Sequence, residues 1–243
     1  MPDTRHHRGA HPEDAAIFAP VWLPTLRNGV AELSWLLSRG YAATAALKLV
    51  GDHYQLTTRQ RSAVARAACS DQSRQRRQAT CRYSADLRGA DVIIDGFNLL
   101  ITLEAALAGA VILHCRDGCL RDLASVHGSY RSVAETARAL ELVGQALTQS
   151  APRAVTWIFD QPVSNSGQLA ARLRAQAAAH GWPWRVAVEL NPDQMVMRSM
   201  ALAITSDSAI LDHVAQWVNL SAELIQQAIP QAWRLDLAAE ASA

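Results

Sequence analysis

The chain has 243 residues, half of them hydrophobic and 19% charged, with a formal net charge of +1. This excludes a disordered or collagen-like polymer and suffices for a full core, as one large domain or a medium domain with a small one attached. No run of about 18 uninterrupted apolar residues exists to span a membrane as a helix.

The start, MPDTRHHRGAHPED, is polar and lacks the apolar stretch of a secretion signal, so the expected compartment is the cytoplasm. Residues 1–25 read as an extended or partly disordered arm. A helical region over 26–88 follows. NGVAELSWLLSRG sets Val30, Leu33, Trp35, Leu36 and Leu37 broadly on one face and stops at Gly40. Tyr41 to Val50 reads as a second helix, closed by Gly51-Asp52. Thr57 with Gln60 three residues on resembles a capping box and opens a third helix over 58–69. Three short helices could be a helix-turn-helix reader or a cap packed on the next domain, and their apolar content favours the cap.

Charge divides the chain near residue 90. Residues 1–90 carry a net +6 and residues 91–243 a net −5. Eight arginines fall within 59–88, among them Arg74, Arg76 and Arg77. Such a segment attracts phosphate backbones or is simply a solvated basic face. Basic side chains are 22 arginines and one lysine, beside 45 alanines. That skew matches GC-rich codon usage, so arginine abundance alone is no sign of nucleic acid. The four cysteines, at 69, 81, 115 and 119, form no CxxC pair and read as reduced thiols rather than a zinc site.

From 89 to 243 strands and helices alternate. Apolar runs at 91–94, 110–114, 154–159, 184–190 and 201–205 read as strands. Helices are expected at 132–148, 168–180, 208–217 and 221–229. This pattern predicts an α/β domain, a parallel sheet flanked by helices, behind a small N-terminal all-helical domain.

Open parallel sheets bind ligands outside the carboxyl ends of their strands. Three of these strands end in an aspartate: Asp95 in VIIDGFNLL, Asp160 in WIFDQPVSNSG and Asp207 in AITSDSAILD. Three converging carboxylates raise one another's pKa, and a hard divalent cation, Mg²⁺ or Mn²⁺, relieves the repulsion. Each aspartate also has an ordinary alternative as a helix N-cap. Gly96 permits a tight turn after Asp95. Asn98, Ser164, Asn165 and Ser206 are candidate substrate contacts beside it. The polar segment 114–131 adds Arg116 and Arg131 as candidate phosphate contacts, Asp117 as a further acidic ligand and His127 as a candidate acid or base; Asp212 is a last candidate ligand. An Asp/Arg network pinning a long loop is the equal alternative for that segment.

VIIDGFNLL, WIFD and AITSDSAILD together resemble the motifs of the PIN-like nucleases, especially their NYN branch, over about residues 91–218. The resemblance implies a PIN-like fold, Asp95, Asp160 and Asp207 as metal ligands, and Mg²⁺- or Mn²⁺-dependent hydrolysis of phosphodiesters, with RNA favoured over DNA. It also implies an acidic residue on a helix between the first and middle strands, for which Glu104, Glu135 and Glu141 are candidates. The whole chain, including RGYAATAALKLVGDHYQLTTRQR and RDGCLRDLASVHGSYR, resembles an uncharacterised prokaryotic family that joins a helical domain of unknown function (number 434) to a PIN-like domain. The expected protein is thus a metal-dependent ribonuclease. Its alternatives are a PIN-like domain that binds RNA or a nucleotide without cleaving it, and a small-molecule phosphatase or nucleotide-binding enzyme. No GxGxxG or GxxxxGK[ST] loop supports the nucleotide version.

Overall fold

The computed structural model describes residues 7–124 and 130–238. His127 lies outside the described residues. The arm does not stay extended: residues 7–25 contain α1 (Asp14–Ile17) and a 3₁₀ turn at Pro20–Trp22 that runs straight into α2 (Leu23–Ser38). Three anchors explain the difference. Phe18 is buried among the helices, and the fully buried Asp14 carboxylate accepts from the Arg59 guanidinium. Arg8 reaches across to the buried carboxylate of Glu104.

α2 ends as expected, with Gly40 at φ +80° and its amide bonded to the Leu37 carbonyl. α3 (Ala43–His53) continues past the expected stop, aided by a Lys48–Asp52 pair four residues apart on its surface. α4 (Thr58–Ala67) opens on a complete capping box between Thr57 and Gln60. The polar stretch after it forms a further helix, α5 (Asp71–Thr80), capped by Ser70.

The remaining elements are β1 (Cys81–Arg82), β2 (Asp91–Asp95), α6 (Gly96–Leu107), β3 (Ile112–His114), β4 (Leu120–Asp122), α7 (Thr136–Ser150), β5 (Ala154–Asp160) and α8 (Ser166–His180). After them come β6 (Trp184–Glu189), α9 (Pro192–Arg198), β7 (Leu202–Ile204), α10 (Ser208–Leu211), β8 (Trp217–Val218), α11 (Leu220–Ala228) and β9 (Arg234–Asp236). The helix expected over 208–217 stops at Leu211, and its last residue, Trp217, instead begins β8.

Among the described residues, six strands form one all-parallel sheet in the order β1-β8-β7-β2-β5-β6. Side chains alternate across it, as the two-residue strand period requires. Val92, Ile94, Trp157 and Phe159 enter the main core with α6, α7, α8 and α11. Ile93 and Ile158 enter a smaller core with α9 and α10 on the other face. The apolar run at 110–114 does not join this sheet. Its β3 pairs antiparallel with β4 and parallel with β9 in a separate three-stranded sheet. That small sheet is buried on both sides, with Ile112 in the main core and Val111, Leu113 and Cys115 packed with the N-terminal helices. The helices therefore form a cap on the α/β part, as their apolar content suggested. All four cysteines are free thiols. Among the described residues, no helix is long and apolar enough to cross a membrane.

Gly96 starts α6 with ordinary backbone angles. Its requirement is space, because an added Cβ would run into the Phe159 ring. That ring is fully buried and wedged against Phe97 and Trp157. Gly96→Ala is therefore expected to destabilise the chain by about 1–3 kcal/mol through overpacking. Gly167→Ala, with nothing within 4 Å of its added Cβ and a place inside α8, should be neutral or stabilising by up to about 1 kcal/mol. Chemical denaturation of the two variants, with opposite signs expected, checks this.

Candidate acidic site

The sheet order decides which strand ends meet. β2 lies between β5 and β7, and β6 flanks β5. Asp95 ends β2, Asp160 ends β5, and Asp207 follows β7 as the N-cap of α10. All strands run the same way, so these aspartates sit at the carboxyl edge of three adjacent strands. Two more carboxylates share it. Glu189 is in register beside Asp160, and Asp193 lies in the first turn of α9, just after β6. Asp193 is absent from the sequence-based set. Inspecting the residues after the run 184–190, as was done for the other strands, reaches it three positions on.

The electrostatics tie the group together. Burial raises the Asp95 carboxyl to about 7, with further upward pressure from Asp207 and Asp193 and an opposing hydrogen bond from Thr205. Asp160 is raised by burial and by Asp193, and Asp193 by burial and by Asp207. Thr205 joins two members: its hydroxyl donates to Asp95 Oδ2 at 2.9 Å and accepts the Asp207 amide at 3.0 Å. Asp207 Oδ1 accepts the amides of Ala209 (2.7 Å) and Ile210 (3.3 Å), so its capping role is real.

Counter-charge is missing. Asp14, Asp52, Asp71, Asp91, Asp117, Asp212 and Asp236 each pair with a basic side chain. Among the described residues, Asp95, Asp160, Asp193 and Asp207 pair with none; Asp86 and Asp122 also lack a basic partner, but they stand apart from this edge and bond the Tyr83 amide and the Thr102 hydroxyl. Carboxylate, hydroxyl and amide oxygens are the donor set a hard divalent cation takes. The chemistry fits, while the closure does not: among the described residues no three His, Cys, Asp or Glu side chains stand close enough together to hold an ion.

Several expected site residues have other work. Asn98 Oδ1 accepts both the amide (2.8 Å) and the hydroxyl (2.9 Å) of Ser206, so these two candidates bind each other. Ser206 is 1% exposed and cannot meet a substrate. Arg116 lies on the cap side, bonded to the Cys69 carbonyl and to Asp71. Asp117 is no ligand. Burial would raise its carboxyl, but Arg121 and Arg77 outweigh burial and bring it to about 2. Asp212 likewise belongs to Arg77. The ion-pair alternative for segment 114–131 is therefore the one observed at Asp117.

Arg131 is exposed, and its carbonyl accepts from Arg8. Ser164 and Asn165 flank the edge in the exposed loop after Asp160. Their partner is Tyr130, whose amide donates to the Ser164 carbonyl and whose carbonyl accepts from Asn165 Nδ2. None of the three expected glutamates joins the carboxylates. Glu104 is buried with Arg8, Tyr130 and Thr136, Glu135 pairs with His7, and Glu141 with Arg138.

The basic cluster also thins. Arg59, Arg61, Arg66 and Arg77 bond protein carboxylates or carbonyls, and Arg82 bonds the carbonyls of Ala79 and Cys81. Arg74, Arg76 and Arg88 stay exposed, and among the described residues their side chains carry no hydrogen bond or ion pair.

Residues 84–223 match the family described as "Domain of unknown function (DUF5616)", and residues 25–79 match "Protein of unknown function (DUF434)". Neither description names a PIN-like family. The uncharacterised protein MJ0935 of Methanocaldococcus jannaschii is 32% identical over 204 residues, covering 83% of this chain and 97% of that protein. No solved structure matches the chain significantly.

The raised Asp95 carboxyl has a consequence for stability. Its folded pKa of about 7 lies above the unfolded 3.8, so the folded state binds the extra proton. Stability from this group is full below about pH 4 and falls as pH rises to about 7. Asp95→Asn removes the ionisation. It is expected to stabilise the chain by roughly 1–3 kcal/mol at pH 8 and by much less at pH 4.5. Thermal melts of both proteins across this range test it; a gain independent of pH would contradict the assignment.

Proposed function

The chain belongs to the DUF5616 family, with a DUF434 region preceding that domain, and we propose from its own geometry that it is a divalent-cation-dependent phosphodiesterase with a PIN-like α/β domain, acting on RNA in preference to DNA. One observation carries the reading: adjacent parallel strands deliver Asp95, Asp160, Asp193 and Asp207 to one edge without a basic partner among the described residues. Unpaired carboxylates that raise one another at a single edge suit a cation. The three aspartates named by the PIN-like resemblance belong to this group, and Asp193 is the fourth acid, supplied by α9 in place of a helix between the first and middle strands.

Bound Mg²⁺ or Mn²⁺ would supply an activated water and a clamp for phosphodiester oxygens. Asp95, Asp160 and Asp207, with Asp193 beside them, would hold it after drawing closer than they stand in the metal-free chain. Thr205 fixes the Asp95 oxygen it bonds and, through the Asp207 amide, the start of the next turn. Asp95, with a carboxyl near 7 in the metal-free chain, would give up its proton on binding the cation. Exposed Arg74, Arg76 and Arg88 supply cationic surface for a polyanion, whose binding would weaken with salt.

A second reading has its own support. The Asp207 cap and the unclosed ligand set suit a domain that binds RNA or a nucleotide without cleaving it. A single titration separates the two. Mn²⁺ should raise the melting temperature of the wild type, by as much as about 2.7 kcal/mol of stabilisation at a hundredfold excess over Kd. Asp207→Asn keeps the cap and loses a repelling charge. It should melt higher without metal, respond weakly to Mn²⁺, and lose any Mn²⁺-dependent cleavage of a mixed single-stranded RNA. Equal Mn²⁺ responses would remove Asp207 from the ligand set, and RNA binding without cleavage would favour the silent binder.

A further inference from the structure

The 206–208 turn that carries Asp207 is held from outside the sheet. Arg121 Nε donates to the Ser206 carbonyl at 2.7 Å, and Arg77 Nη2 donates to the Ser208 carbonyl at 3.1 Å. These carbonyls lie on either side of Asp207. Both guanidiniums are nearly fully buried, and both bond the buried Asp117 between them, Arg77 at 2.7 Å and Arg121 at 2.6 and 3.0 Å. Arg77 also grips Asp212, at the end of α10, through two bonds of 2.8 Å. Arg121 in turn bonds the Arg66 carbonyl of α4. The turn is thus clamped at both ends by one ion-paired cluster, which is anchored in α4 and α5 of the cap.

We infer that Arg77 and Arg121 are positioning residues that hold the 206–208 turn, and with it the Asp207 carboxylate, at the acidic edge. The cap therefore completes the site from behind. That the turn serves hydrolysis rests on the proposed function; that the two arginines hold it does not. Planar forks with several fixed donors suit this work, because each arginine must satisfy a carbonyl and a carboxylate at once.

The test is hydrogen exchange on the full chain. In Arg77→Met and Arg121→Met, Asp117 keeps one arginine, so the fold has a route to survive each change. Arg59→Met is the control. It strips the partner from the equally buried Asp14, which bonds neither the turn nor the Asp117 cluster, and its global destabilisation is measured beside that of the other variants.

Amides of 207–212 should exchange at least about tenfold faster in Arg77→Met and Arg121→Met, while Arg59→Met leaves them protected. Arg77→Lys, with charge but no fork, should restore part of the protection. Unchanged exchange in both methionine variants, or equal loosening in Arg59→Met, would overturn the inference. The same variants should lose most of the Mn²⁺-induced rise in melting temperature. A loosened turn with an undiminished Mn²⁺ response would show that the turn is no part of the site. Exchange needs neither metal nor substrate, so it decides the positioning claim even if the wild type gives no Mn²⁺ response.

Discussion

Much of this protein hangs on one buried carboxylate between two arginines. Asp117 is 6% exposed and contacts Arg77 from the helical cap and Arg121 from the small sheet. Burying three ions costs several kcal/mol each, and their attraction offsets this only when every donor finds an acceptor. Here they do. The donors left over from Asp117 reach Ser206, Ser208, Asp212 and the Arg66 carbonyl. The Arg77 carbonyl accepts from the Trp217 indole in β8. Cap, small sheet and main sheet therefore meet at one densely bonded point. An apolar core tolerates some sliding, but this contact has a single geometry in which its charges are all satisfied.

The acidic edge is the converse arrangement. There the carboxylates face one another, and three of them are held above their ordinary pKa values. Such repulsion opposes folding. A chain with 22 arginines had ample means to neutralise it, and it does so at seven other aspartates. Asp117, brought down to about 2, and Asp95, raised to about 7, mark the two opposite electrostatic settings a buried aspartate has in this fold.

The alternation of apolar strands and helices, and the aspartates closing three of those strands, were legible because both follow from local pattern. The Thr57–Gln60 box was legible because a cap is written within four residues. What escaped depends on distant contacts. α5 has almost no apolar side chains to reveal it, yet it folds because Arg77 finds Asp117 and Asp212 from 40 and 135 positions away. Short strands such as β4, β8 and β9 carry too few residues for a period. The arm became structure because Arg8 and Asp14 have partners 96 and 45 residues on. Arg116 and Asp117 looked alike as site candidates, and only three-dimensional neighbours could remove both. Asp193 needed no distant contact, only attention to a fourth strand end.

β1 gives the two family regions a shared seam. Its residues, Cys81 and Arg82, fall between the segment 25–79 and the segment 84–223, yet they form the outer strand of the main sheet against Trp217 and Val218. A cut made where the two regions appear to part would strip that strand and leave the β8 backbone as a bare edge, open to pairing with another chain. The division suggested by the matched segments is thus no division in the folded molecule. The Methanocaldococcus jannaschii relative, aligned across 83% of this chain, is accordingly similar over a stretch too long for either region alone.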